Sequence, residues 1–185
     1  MTRTTRPVVL VTGGGSGIGA ATCRRFARDG SAIVLCGLDA ASLAQVADEL
    51  TSAGATALPV PMDVTDAAAR DILFDTIAQK FGRLDLLVNN AAIIGQDAMA
   101  AAETQTLDHF ERVVSVNLTA AFAMAQMAYP FLCETKGSIV NVSSVGGSAA
   151  QFHGAAYCAT KAAIDALTRS LALEWADTGI RVNAI

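Results

Sequence analysis

Tyr157 and Lys161 are four residues apart, the spacing that brings two side chains to one face of a helix. A free phenol has a pKa of about 10, too high for a good base at neutral pH. An ammonium group beside it favours the phenolate and brings that value down. A tyrosine so placed can take a proton from an alcohol or return one to a carbonyl oxygen. Alone, the pair also fits a solvated helix face on which a tyrosine packs beside a lysine stem. Upstream, Ser143 and Ser144 follow a short apolar run. A hydroxyl there can hydrogen-bond a reacting oxygen and stabilise charge as it develops. Neither serine sits in a G-x-S-x-G turn, which argues against a nucleophilic role.

A second chemical feature lies near the N-terminus, where Thr12-Gly13-Gly14-Gly15-Ser16-Gly17-Ile18-Gly19 separates an apolar run from a helical pattern. Glycines let the chain turn sharply and let its backbone approach a diphosphate with no Cβ in the way. A helix beginning at Ile18 offers unpaired N–H groups and the positive end of its dipole to phosphates. A glycine cluster is weak evidence by itself, but its place between the first strand and the first helix strengthens it. Gly13, Gly17 and Gly19 follow the spacing T-G-x-x-x-G-x-G rather than G-x-G-x-x-G.

The elements that must hold these groups read as an alternation. Near-continuous apolar runs at 8–12, 32–37, 57–61, 84–89, 137–142 and 180–185 predict strands covered on both faces. Helical patterns fill the intervals 18–29, 40–53, 66–81, 107–134, with a break near Asn117, and 155–177. Thr65-Asp66 suits a helix start and Gly82 a helix stop. This alternation predicts an α/β fold: a doubly wound parallel sheet, Rossmann-like, in three αβα layers with about six strands. No linker or repeat interrupts it, so residues 1–185 read as a single dinucleotide-binding and catalytic domain.

Taken together, these motifs resemble the short-chain dehydrogenase/reductase family, and the resemblance covers nearly the whole chain. Asp63-Val64 follows the third strand, Asn89-Asn90-Ala91-Ala92 the fourth, and Ser144 the fifth, with Asn117 inside the fourth helix and Tyr157 and Lys161 on the fifth. The resemblance implies catalytic roles for Asn117, Ser144, Tyr157 and Lys161. Ser144 is singled out because the family's serine lies thirteen residues before its tyrosine. Asn117 is implied to help hold a water beside Lys161, and a helix kink is its structural alternative. The cofactor would be held by Gly13, Ser16, Gly17, Ile18, Gly19, Asp39, Asp63, Val64, Asn90 and Ala91, together with Tyr157 and Lys161. In this scheme Asp63 accepts from the adenine amino group, the Val64 backbone bonds the ring, and Asn90 and Ala91 border the adenine-side ribose. Helix capping is the plainer role for Asp63, and tying strands together the plainer role for Asn89. Ala92 stands where the family usually has Gly, and a left-handed backbone there would be strained.

The end of the second strand bears on which dinucleotide is bound, since an acid there suits NAD and an arginine suits the extra phosphate of NADP. Gly37 stands where NAD users place Asp, and Leu38 where many NADP users place Arg. Ser16 replaces a basic residue of the glycine turn. With no cation available and Asp39 close by, the pattern favours NAD over NADP.

Hydrophobic residues make up 52% of the chain and charged residues 16%, which supplies ample core and argues against disorder. A net charge of −4 with scattered cations gives no nucleic-acid footprint. Cys23, Cys36, Cys133 and Cys158 lie far apart with no metal-ligand spacing and read as thiols of a reducing cytoplasm. The N-terminal segment Met1 to Arg6 is short and weakly basic, and the apolar run at 8–11 is too short for a signal peptide. The apolar stretch 118–133 contains Gln126 and Pro130 and reads as too short to span a bilayer. A cytoplasmic protein with no membrane partner is the expectation. His109 reads as solvated. His153 reads as a surface residue, with a substrate contact as the alternative.

The resemblance further implies a hydride transfer between nicotinamide and a secondary alcohol or ketone, in a homodimer or homotetramer formed through the two long helices. The small residues Ala155, Ala159, Ala162, Ala163 and Ala166 suit such contacts, or burial within one subunit. The family's Pro-Gly turn, substrate lid and last strand lie beyond the pattern found here. The sixth strand is therefore expected to be an exposed apolar edge, and the chain to bind cofactor weakly and turn over poorly. A catalytically silent nucleotide-binding scaffold or partner subunit is the alternative function. A methyltransferase would not need the Tyr157–Lys161 pair, and an epimerase usually has a longer chain.

Overall fold

The computed structural model describes residues 4–95 and 98–185; Met1, Thr2 and Arg3 of the basic N-terminal segment lie outside them. The strands are β1 (Val8–Thr12), β2 (Ala32–Gly37), β3 (Ala57–Pro61), β4 (Leu86–Asn89), β5 (Ser138–Asn141) and β6 (Arg181–Ala184). The helices are α1 (Gly17–Arg28), α2 (Ala40–Ser52), α3 (Ala67–Lys80), α4 (Leu107–Val114), α5 (Ala120–Thr135) and α6 (Ala155–Glu174). All strands pair parallel in one six-stranded sheet ordered β3-β2-β1-β4-β5-β6.

Alternation along the central strands divides the core between the two faces of the sheet. Val9, Val11, Ile33 and Leu35 pack with Ala20 and Cys23 of α1 and Leu43, Val46 and Leu50 of α2. Val8, Leu10, Val34 and Cys36 pack with Leu73 and Ile77 of α3, Met124 and Leu132 of α5, and Leu171 of α6. The layers are therefore αβα, as the alternating pattern predicts. The order of strands reverses between β1 and β4, and the carboxyl ends of these two strands open a crevice.

The edges differ from the sequence expectation of strands covered on both faces. β3 is half-buried, and its Pro59 and Pro61 cannot donate to a further strand. β6 pairs with β5 alone and alternates: Val182 is buried, whereas Arg181 and Asn183 are exposed. The expected apolar edge is thus polar on its outer positions. The long fourth helix is also one continuous helical span, Leu107–Thr135, of 29 residues. That is long and apolar enough to cross a membrane by length and composition, so the shortness expected of its apolar stretch does not hold; a third of its most apolar window is buried here. The break near Asn117 is a turn of π-helix, Ser115–Thr119, between α4 and α5.

Candidate active site

β1 ends at Thr12, and the chain reverses through Gly13, whose φ of +65° is left-handed and suits glycine. The turn is packed against the segment after β4. A Cβ on Gly13 would meet Asn90 Nδ2 at 2.8 Å and Ala91 Cα at 3.1 Å. A Cβ on Gly19 would collide with the Gly13 carbonyl and lie 2.7 Å from Asn90 Nδ2. Gly17 has a φ of +50°, and beyond its chain neighbours and its own helix no atom of the described residues lies within 4 Å of where its Cβ would be, so the space beside it is open. α1 starts at Gly17 with Ser16 as its cap residue, and the Ser16 hydroxyl makes no capping bond. The first N–H groups of α1 are therefore left for another acceptor. A backbone stripped of side chains, beside open space and ahead of a helix dipole, fits a diphosphate.

The turn is braced from β4. Thr12 Oγ1 accepts from the backbone N–H groups of Asn90 at 3.0 Å and Ala91 at 2.9 Å. The Asn90 amide donates back to the carbonyls of Thr12 (2.9 Å) and Gly13 (3.1 Å). Asn90 thus spends its side-chain donor on the turn itself. Ala92 has no positive φ, so the strain expected from replacing glycine there is absent.

The reaction side is held from α6. Lys161 is buried and its Nζ donates to the Val142 carbonyl at 2.6 Å, just past β5. Burial pushes its ammonium below the usual lysine pKa, against a smaller opposing pull from Asp165. Its Nζ lies 5.7 Å from the centre of the Tyr157 ring. Asn117 is buried in the π turn, where its Oδ1 accepts from Ile93 N at 2.7 Å. Its Nδ2 donates to Ile93 O at 3.1 Å and to Thr160 Oγ1 at 3.4 Å.

One cleft of about 350 Å³ joins the two sides. Its lining takes Gly13, Ser16, Gly17 and Ile18 from the glycine turn, Asn90, Ala91, Ala92 and Ile94 from the segment after β4, Val142 and Ser143 from the end of β5, and Tyr157 and Lys161 from α6. The cleft thus brings together Gly13, Ser16, Gly17 and Ile18 with Asn90, Ala91, Tyr157 and Lys161, whereas Gly19 and Asn117 are not in its lining. Ser144 does not belong to its lining; it caps a short 3₁₀ turn, its Oγ accepting from Gly146 N at 3.1 Å. Asp39 caps α2, accepting from Ala41 N at 3.0 Å and Ser42 N at 3.4 Å. Asp63 is exposed and accepts from Thr65 N and Thr65 Oγ1 at 2.8 and 2.7 Å, while Asp66 caps α3. The Val64 carbonyl accepts from Arg70 Nη1 at 2.7 Å. Asn89 donates to Asn141 Oδ1 and to Ala121 O, tying β4 to β5 and α5 as its plainer reading holds.

Sequence reasoning missed Thr12 and Thr160 as polar anchors and Val142 and Ile94 as lining residues, took Ala92 only for its backbone, and chose Ser144 over the lining residue Ser143. Thr12 carried a signal, since it ends a strand immediately before the glycines. His109 is half-buried against Gln105 rather than fully solvated. His153 is exposed and stacks on Phe152, with ring centres 4.0 Å apart.

A profile of the short chain dehydrogenase family matches residues 7–185. The chain belongs to the short-chain dehydrogenase family. Among curated relatives of this dehydrogenase, a 2,5-dichloro-2,5-cyclohexadiene-1,4-diol dehydrogenase of Sphingobium indicum is 39% identical, over 96% of this chain and 70% of the relative. A meso-2,3-butanediol dehydrogenase of Serratia marcescens is 36% identical, over 96% and 69%. A crystallised 3-ketoacyl-ACP reductase of Sinorhizobium meliloti 1021 superposes with a TM-score of 0.92 at 36% identity, covering 96% of this chain and 70% of that one. The short-chain dehydrogenase described here is accordingly an NAD(P)-dependent oxidoreductase acting on alcohols or ketones.

Proposed function

We propose that this dehydrogenase oxidises a secondary alcohol, or reduces the matching ketone, with Tyr157 as the general acid/base. The observation that carries the reading is the single cleft lined by both the glycine turn and the Tyr157–Lys161 pair. A bound nicotinamide supplies the hydride acceptor or donor. In the oxidative direction Tyr157 takes the hydroxyl proton as the carbinol hydride departs; in the reductive direction it returns a proton to the carbonyl oxygen. Lys161 gives one N–H to the Val142 carbonyl and keeps two more for the nicotinamide-side ribose and the phenol. Ser144 follows the lining residue Ser143 and is not itself in the lining; its Oγ accepts from Gly146 N, and its own proton is left to reach the reacting oxygen from beside the cleft. The test is Tyr157→Phe. Hydride transfer, followed by nicotinamide absorbance, is expected to fall about 10²- to 10⁴-fold, with dinucleotide affinity retained. An unchanged rate would remove Tyr157 from the chemistry.

NAD is the proposed cofactor. Gly37 and Leu38 bring no cation to the end of β2, and the Asp39 carboxylate caps α2 beside it. A 2′-phosphate there would meet negative charge instead of an arginine. KM values for NAD and NADP test this, and a clear preference for NADP overturns it. A homo-oligomer is also proposed. Ala155, Ala159, Ala162 and Ala166 form an exposed face of α6, which permits close approach of another helix and argues against their burial within one subunit. Sedimentation at several concentrations checks it. A cytoplasmic setting accords with four free cysteines, and nothing in the charge pattern calls for a nucleic-acid partner.

A further inference from the structure

We infer that Thr160 is a positioning residue for Tyr157: its buried hydroxyl joins the tyrosine's own backbone to Asn117 and so to the wall of the cleft. This rests on Tyr157 being the acid/base.

Threonine hydroxyls on helices commonly bond back to the preceding turn, and here most do so in an ordinary way. Thr22, Thr51 and Thr76 each donate to the carbonyl four residues earlier, and Thr22 and Thr76 do so on exposed surface. Thr160 differs in three respects. It is 1% exposed. It donates three residues back, at 2.8 Å, to the carbonyl of Tyr157 itself. It also accepts from Asn117 Nδ2 at 3.4 Å. The same Asn117 amide clasps both backbone groups of Ile93, between the lining residues Ala92 and Ile94.

The polar link runs beside an apolar one. Ile93, Phe110 and Tyr157 pack on Ala98, Val113 and Ala156. The helical turn that carries the phenol is thus held on its main chain by Thr160 and on its side chain by the small apolar cluster of Ala98, Val113 and Ala156. Without the hydroxyl, the Tyr157 carbonyl and the Asn117 amide each lose a buried partner. The phenol then sits less well defined against Lys161 and the substrate oxygen, and misplacement by about 1 Å can cost about a hundredfold in rate.

Thr168, on the same helix, is the internal control. It too is buried, donates to Ile164 O, and accepts from an asparagine, Asn141, at 2.9 Å. Its bonds fasten α6 to the sheet and touch no residue of the cleft lining.

The experiment compares Thr160→Val, Thr160→Ala, Thr160→Ser and Thr168→Val in the full chain labelled with fluorotyrosine. The chain has two tyrosines, so its fluorine spectrum has two signals, and Tyr157→Phe assigns them. Thr160→Val should shift or broaden the Tyr157 signal and leave that of Tyr129, and Thr160→Ser should restore it. Thr160→Ala covers the case in which valine is too crowded to fold. Thr168→Val should lower the melting temperature without moving the Tyr157 signal. In turnover, Thr160→Val should lower kcat about tenfold or more, with KM for the dinucleotide unchanged. A Tyr157 signal and a kcat unmoved by both Thr160→Val and Thr160→Ala overturn the inference, as does an equal response to Thr168→Val. If Tyr157→Phe itself turns over normally, the fault lies instead with the acid/base assignment.

Discussion

The two halves of the sheet are built on opposite terms. On the β1–β3 side the interior is apolar, and its two thiols, Cys23 and Cys36, are pushed by burial up to about 12. They stay protonated and act as small hydrophobic groups. This side recognises by what it omits: glycines that clear a path and helix N–H groups left without a cap. On the β4–β6 side Asn89, Asn117, Asn141, Thr160, Lys161 and Thr168 are buried and each makes at least one side-chain hydrogen bond, although Asn89 Oδ1 and the buried Ser138 Oγ are left without a partner among the described residues. This side works by polar groups withdrawn from water and held in fixed bonds. A nucleotide needs room and donors, whereas a proton transfer needs atoms that do not move.

The comparison can be broken or sharpened by substitution. The largest effect is expected for Lys161→Met, which keeps the buried stem and removes the ammonium. Turnover should drop about a hundredfold or more, and melting curves should show a folded chain. Gly19→Ala tests the opposite side. Its new methyl must displace the Gly13 carbonyl, at a cost of about 1–3 kcal/mol. Dinucleotide affinity measured by calorimetry should weaken about ten- to hundredfold, whereas Gly30→Ala, at a positive φ with open space around it, should cost stability and leave affinity alone. Asp39→Ala removes the α2 cap and should lower stability by about 1 kcal/mol, read by urea denaturation. The smallest effect is a pH slope. Because burial lowers the Lys161 pKa from 10.5, the unfolded chain binds more protons than the folded one between the lowered value and 10.5. The cost of burying the charge is present in full at neutral pH and is lifted as pH rises through that window. The wild-type chain should therefore gain stability relative to Lys161→Met toward pH 10.5.

The β1–β3 half of the sheet was legible almost to the residue. β1, β2 and β3 are bounded by Gly and Pro, and the edges of their apolar runs coincide with the edges of pairing. β4 is shorter than its apolar run because Asp85 turns its carboxylate back to the Val8 N–H at 2.8 Å before β4 begins. Helix ends shift by a residue where caps such as Asp66 stand outside the helix. The cleft lining was legible where a motif names a side chain, as for Tyr157 and Lys161. It was not legible where the function of a group depends on its neighbours. Asp39 and Asp63 carry the charge expected of cofactor ligands, yet their oxygens are engaged locally by backbone and by Thr65. Ser143 and Ser144 are indistinguishable by composition, and only the chain's course after β5 separates one that faces the cleft from one that caps a turn. Thr160 gave no sign, since a threonine on a helix is unremarkable until its partners are known.

The π turn at Ser115–Thr119 has a consequence for length variation. Such a turn is an α-helix carrying one residue to spare. Deleting any one of those five would let the span close into uninterrupted α-helix with more regular geometry. The wider turn takes up the surplus residue, so its deletion would leave α4 and α5 nearly in phase while removing the bulge that carries Asn117. Val113 would keep its seat beside Ala98 and Ala156, and the clasp of Asn117 on Ile93 would come undone. A shortened chain of this kind would gain regularity in one helix while losing the polar hold on the segment that follows β4.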